Sequence, residues 1–288
     1  MNACPWCKSE NARSYIKLQD YFLTNDAFEV MECQSCHLLF TTPRPTPDKI
    51  DAYYQSEKYY SHQENKNGFI PHIYEAVKTV NLKNKLRMAT HGIENGKILD
   101  IGCGVGDFLF KAKQSGWKVT GIEPSPNASK IASHKLQSQI LLPSQISSLE
   151  DESFNLITMW HVLEHVDDLN AQIKELHRLL KPNGRLVLAL PNFMSYDADY
   201  YKDKWAAWDV PRHLNHFCRS SMDSVFSSSW KKENVEKLLW DSYYISFLSE
   251  QYEGHSLALL RGVFRGFVSN WKAKKTGEYS SLVYFYRK

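Results

Sequence analysis

Ile98-Leu99-Asp100-Ile101-Gly102-Cys103-Gly104-Val105-Gly106-Asp107 is the stretch on which the fold turns. An apolar run ends on a carboxylate and breaks into three glycines at alternate positions; residues 108–115 then read as a helix stopped by Gly116. Together these are a buried strand, a tight turn and a helix start, the arrangement in which backbone without a Cβ meets a ligand. A dinucleotide fingerprint needs its last glycine where Asp107 stands, and an acid just past the turn is a poor neighbour for pyrophosphate. Outward from this turn the pattern repeats. Residues 117–122 form a second strand ending at Glu123, 125–136 a helix, 139–142 a third strand and 154–160 a fourth. Leu169, Ile173, Leu176 and Leu180 mark a helix that stops before Pro182-Asn183-Gly184, and 185–190 form a fifth strand. Residues 236–248 and 282–287 read as two later strands. Such alternation predicts an α/β fold, a parallel sheet covered by helices on both faces.

Glu123 stands at the end of the second strand, where a carboxylate accepts two hydrogen bonds from a ribose diol. The turn therefore suits an adenosyl group without phosphates, and Asp100 and Asp107 suit a cationic one. On these residues, on Gly121-Ile122-Glu123-Pro124, on the 154–160 strand, on His161-Val162-Leu163-Glu164-His165-Val166 and on Leu180-Lys181-Pro182-Asn183-Gly184, the chain resembles the class I S-adenosylmethionine-dependent methyltransferases. The resemblance spans roughly residues 96–192. It implies a Rossmann-like sheet of seven strands, the last antiparallel. It implies that Gly102, Gly104 and Gly106 line the methionine end of S-adenosylmethionine, flanked by Asp100 and Cys103. Glu123, next to Pro124, then binds the ribose, and Trp160 and His161 border the cofactor. The segment 142–146 lacks the family's acidic cue for adenine. Cys103 also has a plain reading as a small residue in a tight turn.

Four of the six cysteines fall early, as Cys4-Pro5-Trp6-Cys7 and Cys33-Gln34-Ser35-Cys36. Two such knuckles suit one tetrahedral Zn²⁺ held only by protein thiolates, a closed structural site. Disulfides fit poorly, since the start of the chain shows no basic-then-apolar export pattern. This front resembles the zinc-binding modules of some bacterial methyltransferases, sugar methyltransferases among them. Those tend to carry glycine after the last cysteine; His37 stands there and competes as a ligand. The predicted plan is a zinc-ribbon-like module over 1–42, a connector with helices over 43–95, and the methyltransferase domain over 96–288. The connector starts with the proline-rich 42–47, then a short helix over 48–55, tyrosine pairs at 53–54 and 59–60, and a longer helix over 69–90.

Past the fifth strand comes an aromatic stretch, Phe193, Tyr196, Tyr200, Tyr201, Trp205 and Trp208, then Pro211-Arg212-His213-Leu214-Asn215-His216-Phe217. Imidazole titrates near neutrality, so His213 or His216 is a candidate catalytic base, with His161 competing. The other reading has both histidines ordering the loop, and Glu164 and His165 orienting the next helix. Residues 255–271 read as an amphipathic helix, with Leu260, Phe264, Phe267 and Trp271 on one face beside Arg261, Arg265 and Lys272. It either docks on anionic lipid, a nucleotide-sugar or RNA, or packs on the sheet with a solvated basic edge; the second is the expectation.

The 288 residues carry a net charge of +3, which demands neither a nucleic-acid nor a membrane partner. No apolar run approaches the ~18 residues of a membrane span, so the cytoplasm is the expected location. The expected activity is methyl transfer from S-adenosylmethionine to a small-molecule acceptor, in glycan or secondary metabolism. One alternative is an RNA methyltransferase using the ribbon and basic C-terminus. Against it, residues 1–40 hold three basic residues to five acids. The other is a non-catalytic module that binds the cofactor or a partner.

Overall fold

The computed structural model describes residues 3–54, 69–227 and 229–288. The expected tyrosine pair at 59–60 lies outside them. The chain opens with an antiparallel meander of β1 (Ala12–Gln19), β2 (Ala27–Cys33) and β3 (Leu39–Thr42). One helical turn, Pro47–Ile50, and a 3-10 turn, Asp51–Tyr53, stand where the short helix was expected. Helix α1 (Phe69–Thr90) leads into the main body.

There the order is β4 (Lys97–Ile101), α2 (Asp107–Gln114), β5 (Lys118–Ile122), α3 (Pro126–Leu136), β6 (Phe154–Trp160), α4 (Leu169–Leu179) and β7 (Leu180–Pro191). Next come α5 (Tyr196–Tyr201), the short β8 (Asn215–His216), α6 (Arg219–Val225) and β9 (Lys231–Lys237). A helical hairpin, α7 (Asp241–Tyr252) and α8 (Ala258–Thr276), precedes the last strand, β10 (Ser281–Arg287).

The main sheet has the order β5-β4-β6-β7-β10-β9. Its central pairs are parallel, and β10 runs antiparallel to both β7 and β9. Ile98, Leu99, Leu156, Ile157, Val187 and Leu188 are fully buried, as strands covered on both faces must be.

Three expectations change here. The sheet has six strands, not seven. The expected third strand is a single bridge, Leu141 to Ile122, held by Leu141 N–H to Gly121 C=O (2.9 Å) and Glu123 N–H to Leu141 C=O (3.0 Å). Pro143, which has no N–H, opens a 3-10 turn two residues on and ends the ladder. Residues 236–248 are the end of β9 and most of α7; their aromatic residues read as strand but are recruited to a helix by packing against α8. Finally, α8 does not lay its large apolar residues on the sheet, as described below.

The front meander is not free-standing. β3 pairs antiparallel with β8, Leu39 opposite His216 and Phe40 opposite Asn215. Cys4, Cys33, Leu38 and Phe40 share a core with Leu188, Leu190 and Phe217 of the main body. The aromatic stretch after β7 also packs forward: Tyr201, Trp205 and Trp208 join Leu18, Phe28 and Val30. Among the described residues no helix is long and apolar enough to cross a membrane.

Candidate active site

The turn after β4 uses its glycines for different reasons. Gly102, Gly104 and Gly106 have φ of 70°, 54° and 77°, the left-handed region that favours glycine. A Cβ on Gly102 would lie 2.4 Å from Val162 Cγ2, and one on Gly106 would lie 3.0 Å from Ala132 Cβ, so both are small to let the protein pack on itself. A Cβ on Gly104 would meet nothing within 4 Å, which makes its face the open side of the turn. Cys103 points the other way: its Sγ lies 2.8 Å from where a Cβ on Gly121 would stand, and burial raises its thiol pKa.

Glu123 is buried beside that open side. Its Oε2 accepts from Gly104 N–H (2.8 Å) and its Oε1 from Ser125 N–H (2.9 Å). The carboxylate thus ties the glycine turn to the start of α3, and each oxygen keeps a lone pair. Pro124 follows it, exposed. Asp100 accepts from Thr158 Oγ1 at 2.6 Å; burial pushes its carboxyl up to about 7, against the pull of Thr158 and Lys85. Asp107 pairs with Lys135 and is thereby partly neutralised. Trp160 packs edge-on against Phe108, with the Lys85 ammonium 4.7 Å from its ring centre and its own Nε1 buried without a partner.

Beyond Trp160 the C-terminal ends of β6 and β7 open into a cavity of about 370 Å³. Its polar lining comes from Lys85, His161, Glu164, Arg212, His213 and Asp241, with Asp209 beside Arg212. Its apolar wall comes from Phe22 and from Tyr244, Ile245, Leu248 and Tyr252 of α7.

The three histidines differ in state. His161, at φ 57°, has Nε2 3.0 Å from Asp241 Oδ2 and Nδ1 3.5 Å from Glu164 Oε1. Burial disfavours its charged form, but the two carboxylates prevail and push its pKa up to about 9. At neutral pH it is an imidazolium, a poor proton acceptor. His213 is the reverse: burial, aided by His165, pushes it down to about 4. Its Nδ1 donates to Ala207 C=O (2.9 Å), which leaves the Nε2 lone pair. His216 lies outside the large cavity, and burial holds it well below the usual imidazole range. It donates through Nε2 to Thr41 Oγ1 (2.9 Å), which donates to His213 C=O (2.7 Å). His216 is thus engaged with the front sheet.

Glu164 belongs with these groups, although the sequence suggested only a helix-orienting role. It is 1% exposed, neither carboxylate oxygen has a hydrogen-bond partner, and it lines the cavity. Burial would raise its pKa; the imidazoles of His161, His213 and His165 bring it down. One ligand atom from each of Glu164, His165 and His213 falls within 4.8 Å of the others, so this cluster can also accept a cation. The signal in the sequence was proximity along the chain: residues 161, 164 and 165 follow directly on the end of β6.

At the front, Cys4 Sγ lies 3.5 Å from Cys36 Sγ and Cys7 Sγ 3.5 Å from Cys33 Sγ, with all four within 4.8 Å of one another. Lys8 and His37, each one residue past a knuckle, take φ of 61° and 59°, which is why glycine suits that position. The exposed His37 ring sits 3.4 Å from Glu32 Oε1, outside the sulfur cluster.

The chain is 28% identical over 177 residues to the sterol 4-C-methyltransferase strm-1 of Caenorhabditis elegans, covering 57% of this chain and 49% of that protein. It is 36% identical over 107 residues to the ubiquinone biosynthesis O-methyltransferase of Xanthomonas oryzae pv. oryzae, covering 35% and 45% respectively. The chain thus spans about half the length of these curated relatives. Among solved structures, geranyl diphosphate C-methyltransferase of Streptomyces coelicolor A3(2) shares the fold, with a TM-score of 0.57 at 12% identity, over 85% of this chain and 99% of that one. The family model described as a methyltransferase domain matches residues 73–229, more than half of the chain. The chain belongs to that family of methyltransferase domains.

Proposed function

We propose that the chain transfers the methyl group of S-adenosylmethionine to a small-molecule acceptor. The observation that carries this reading is one of place. The open side of Gly104 with Glu123 beside it, and the cavity bordered by His161 and Pro191, lie along the same C-terminal edge of β4 to β7. Relatives named as a sterol 4-C-methyltransferase and a ubiquinone biosynthesis O-methyltransferase support an acceptor of small-molecule size.

When bound, S-adenosylmethionine supplies an electrophilic methyl on a sulfonium. Glu123 has the free lone pairs to hold a ribose diol, and Asp100, lifted by burial, gains from a nearby cation. The acceptor lies against the apolar wall of α7, with Glu164 Oε2 ready to accept from its hydroxyl or amine. His213 Nε2 takes the acceptor's proton, while His161, already protonated, offers positive charge to the acceptor. The enzyme's remaining work is alignment and exclusion of water.

The four thiols that converge at the front fit one structural Zn²⁺, and we assign Cys4, Cys7, Cys33 and Cys36 to it. Residues 1–42 then form the zinc module and 96–288 the transferase body.

The test pairs calorimetry with transfer of a labelled methyl group to a metabolite extract. Binding of S-adenosylmethionine, labelled product from the parent, and a ~10²–10⁴-fold lower kcat in His213→Asn with unchanged cofactor affinity are expected. With the pKa near 4, activity should hold across neutral pH and fall only toward that value. Parental kcat in His213→Asn on the true substrate would remove the base from the mechanism; absence of cofactor binding would remove the reading itself.

A further inference from the structure

Helix α8 is built inside out. Its buried residues are small: Ala258, Gly262, Gly266, Ser269 and Ala273, with Asn270. Its large apolar residues face solvent, Leu260 at 67% exposure, Phe264 at 60%, Phe267 at 59% and Trp271 at 56%, with Leu259 and Val263 alongside. A helix serving a soluble core shows the opposite pattern.

This orientation is fixed by contact. A Cβ on Gly262 would lie 2.5 Å from Phe247 Cα, and one on Gly266 2.7 Å from Tyr243 Cα, so the two backbones of the α7–α8 hairpin touch through a small-xxx-small seam. Ser269 Oγ donates to the buried Asp197 (2.6 Å), and Arg261 pairs with the buried Glu250 (2.6 Å). Rotating α8 to hide Phe264 and Phe267 would break each of these contacts.

Charge decides what covers the face. Between Leu257 and Gly277 the charged residues are Arg261, Arg265, Lys272, Lys274 and Lys275, all basic. Arg265 and Lys272 flank the apolar stripe, lying over the rings of Tyr200 and Tyr196. Arg261 is neutralised by Glu250, so a second copy of this face would set four cations against four. An anionic bilayer neutralises them while its acyl boundary takes the apolar side chains, with Trp271 at headgroup level. We propose that α8 docks the protein, lying flat, on anionic lipid membranes. The partner helix α7 walls the acceptor cavity, so this docking brings the cavity to the bilayer surface. The proposal stands on α8 alone and does not depend on what the site transfers.

Flotation of the full chain with phosphatidylcholine vesicles, with and without ~30% phosphatidylglycerol, tests it. Preferential flotation with the anionic vesicles, weakened by high salt, is expected. Phe264→Glu with Phe267→Glu should abolish it; both side chains are exposed, and an unchanged melting profile shows that the fold is intact. Lys274→Ser and Lys275→Ser should each weaken partitioning about five-fold, the effect of one basic residue near an anionic surface. Equal partitioning to both vesicle types overturns the proposal. So does a dimer in sedimentation that dissociates in the double glutamate variant, since the face would then belong to a second copy.

Discussion

Asp20→Ala should loosen the join between the front sheet and the loop that carries Arg212. Asp20 Oδ1 lies 2.8 Å from Arg212, and the two side chains are 0% and 2% exposed. Asp20 also accepts from the N–H groups of Phe22, Leu23 and Thr24, at 3.0–3.3 Å. Removing one partner of a buried pair costs about 3–5 kcal/mol. Arg212 keeps Asp209 at 2.7 Å, which puts the loss at the lower end of that range. At about 2 °C per kcal/mol for a chain of this size, the melting temperature should fall by about 6 °C. The pH dependence is fixed by sign. Burial opposes the Asp20 charge, but Arg212 and the Thr24 donors depress its pKa. A depressed carboxylate contributes stability that is present above its unfolded pKa of about 4 and lost as pH falls through the folded value. The gap between parent and variant should therefore be full at pH 7 and close in acid. Differential scanning calorimetry from pH 7 to pH 3 reads both. A shift below about 2 °C, or a gap that does not change with pH, would refute the idea that this pair fastens the two regions.

Elemental analysis should find about one zinc per chain, lost in Cys33→Ser; because β3 holds β8, zinc loss should lower kcat while sparing affinity for S-adenosylmethionine. No zinc, with all thiols titrating freely, would contradict the assignment. Glu123→Ala should weaken S-adenosylmethionine by about 1.5–3 kcal/mol in calorimetry, and Gly104→Val at least as much through its positive φ and its bulk on the open side. Unchanged affinity in both folded variants would move the cofactor elsewhere. The His161 pKa is raised to about 9, so its contribution to stability is complete below the unfolded value of about 6.5 and lost as pH rises through 9. His161→Gln should flatten the stability profile across that window, and an unaltered profile would show that the carboxylates do not hold the charge.

The glycine turn, Glu123 and the two cysteine knuckles were legible because each is a local spacing with one physical use. Strand β6 was legible because an apolar run bounded by turn signals admits little else. The join of β3 to β8 was not, since a pairing between residues 175 apart leaves no local trace. Tyr243, Tyr244, Ile245 and Phe247 favour strand by type, and only the bare seam of Gly262 and Gly266 across from them makes a helix the better packing. For α8, periodicity showed which residues share a face; it holds no information on which way that face points. The sequence singled out His161 and His213, and both line the same cavity; their charge states were not legible, because burial and neighbouring carboxylates from other segments set them.

The pairing of β3 with β8 also sets an order of events at birth. Thr41 is held by His216, a residue made 175 positions later. At 5–20 residues per second, the front meander waits about 9–35 s for that partner. During the wait β3 presents an open strand edge, and buried positions such as Leu38, Leu39 and Phe40 lack their final cover. On the zinc assignment proposed above, metal capture by the cysteines would order this segment in the interval, so nascent chains made without zinc should be those that aggregate.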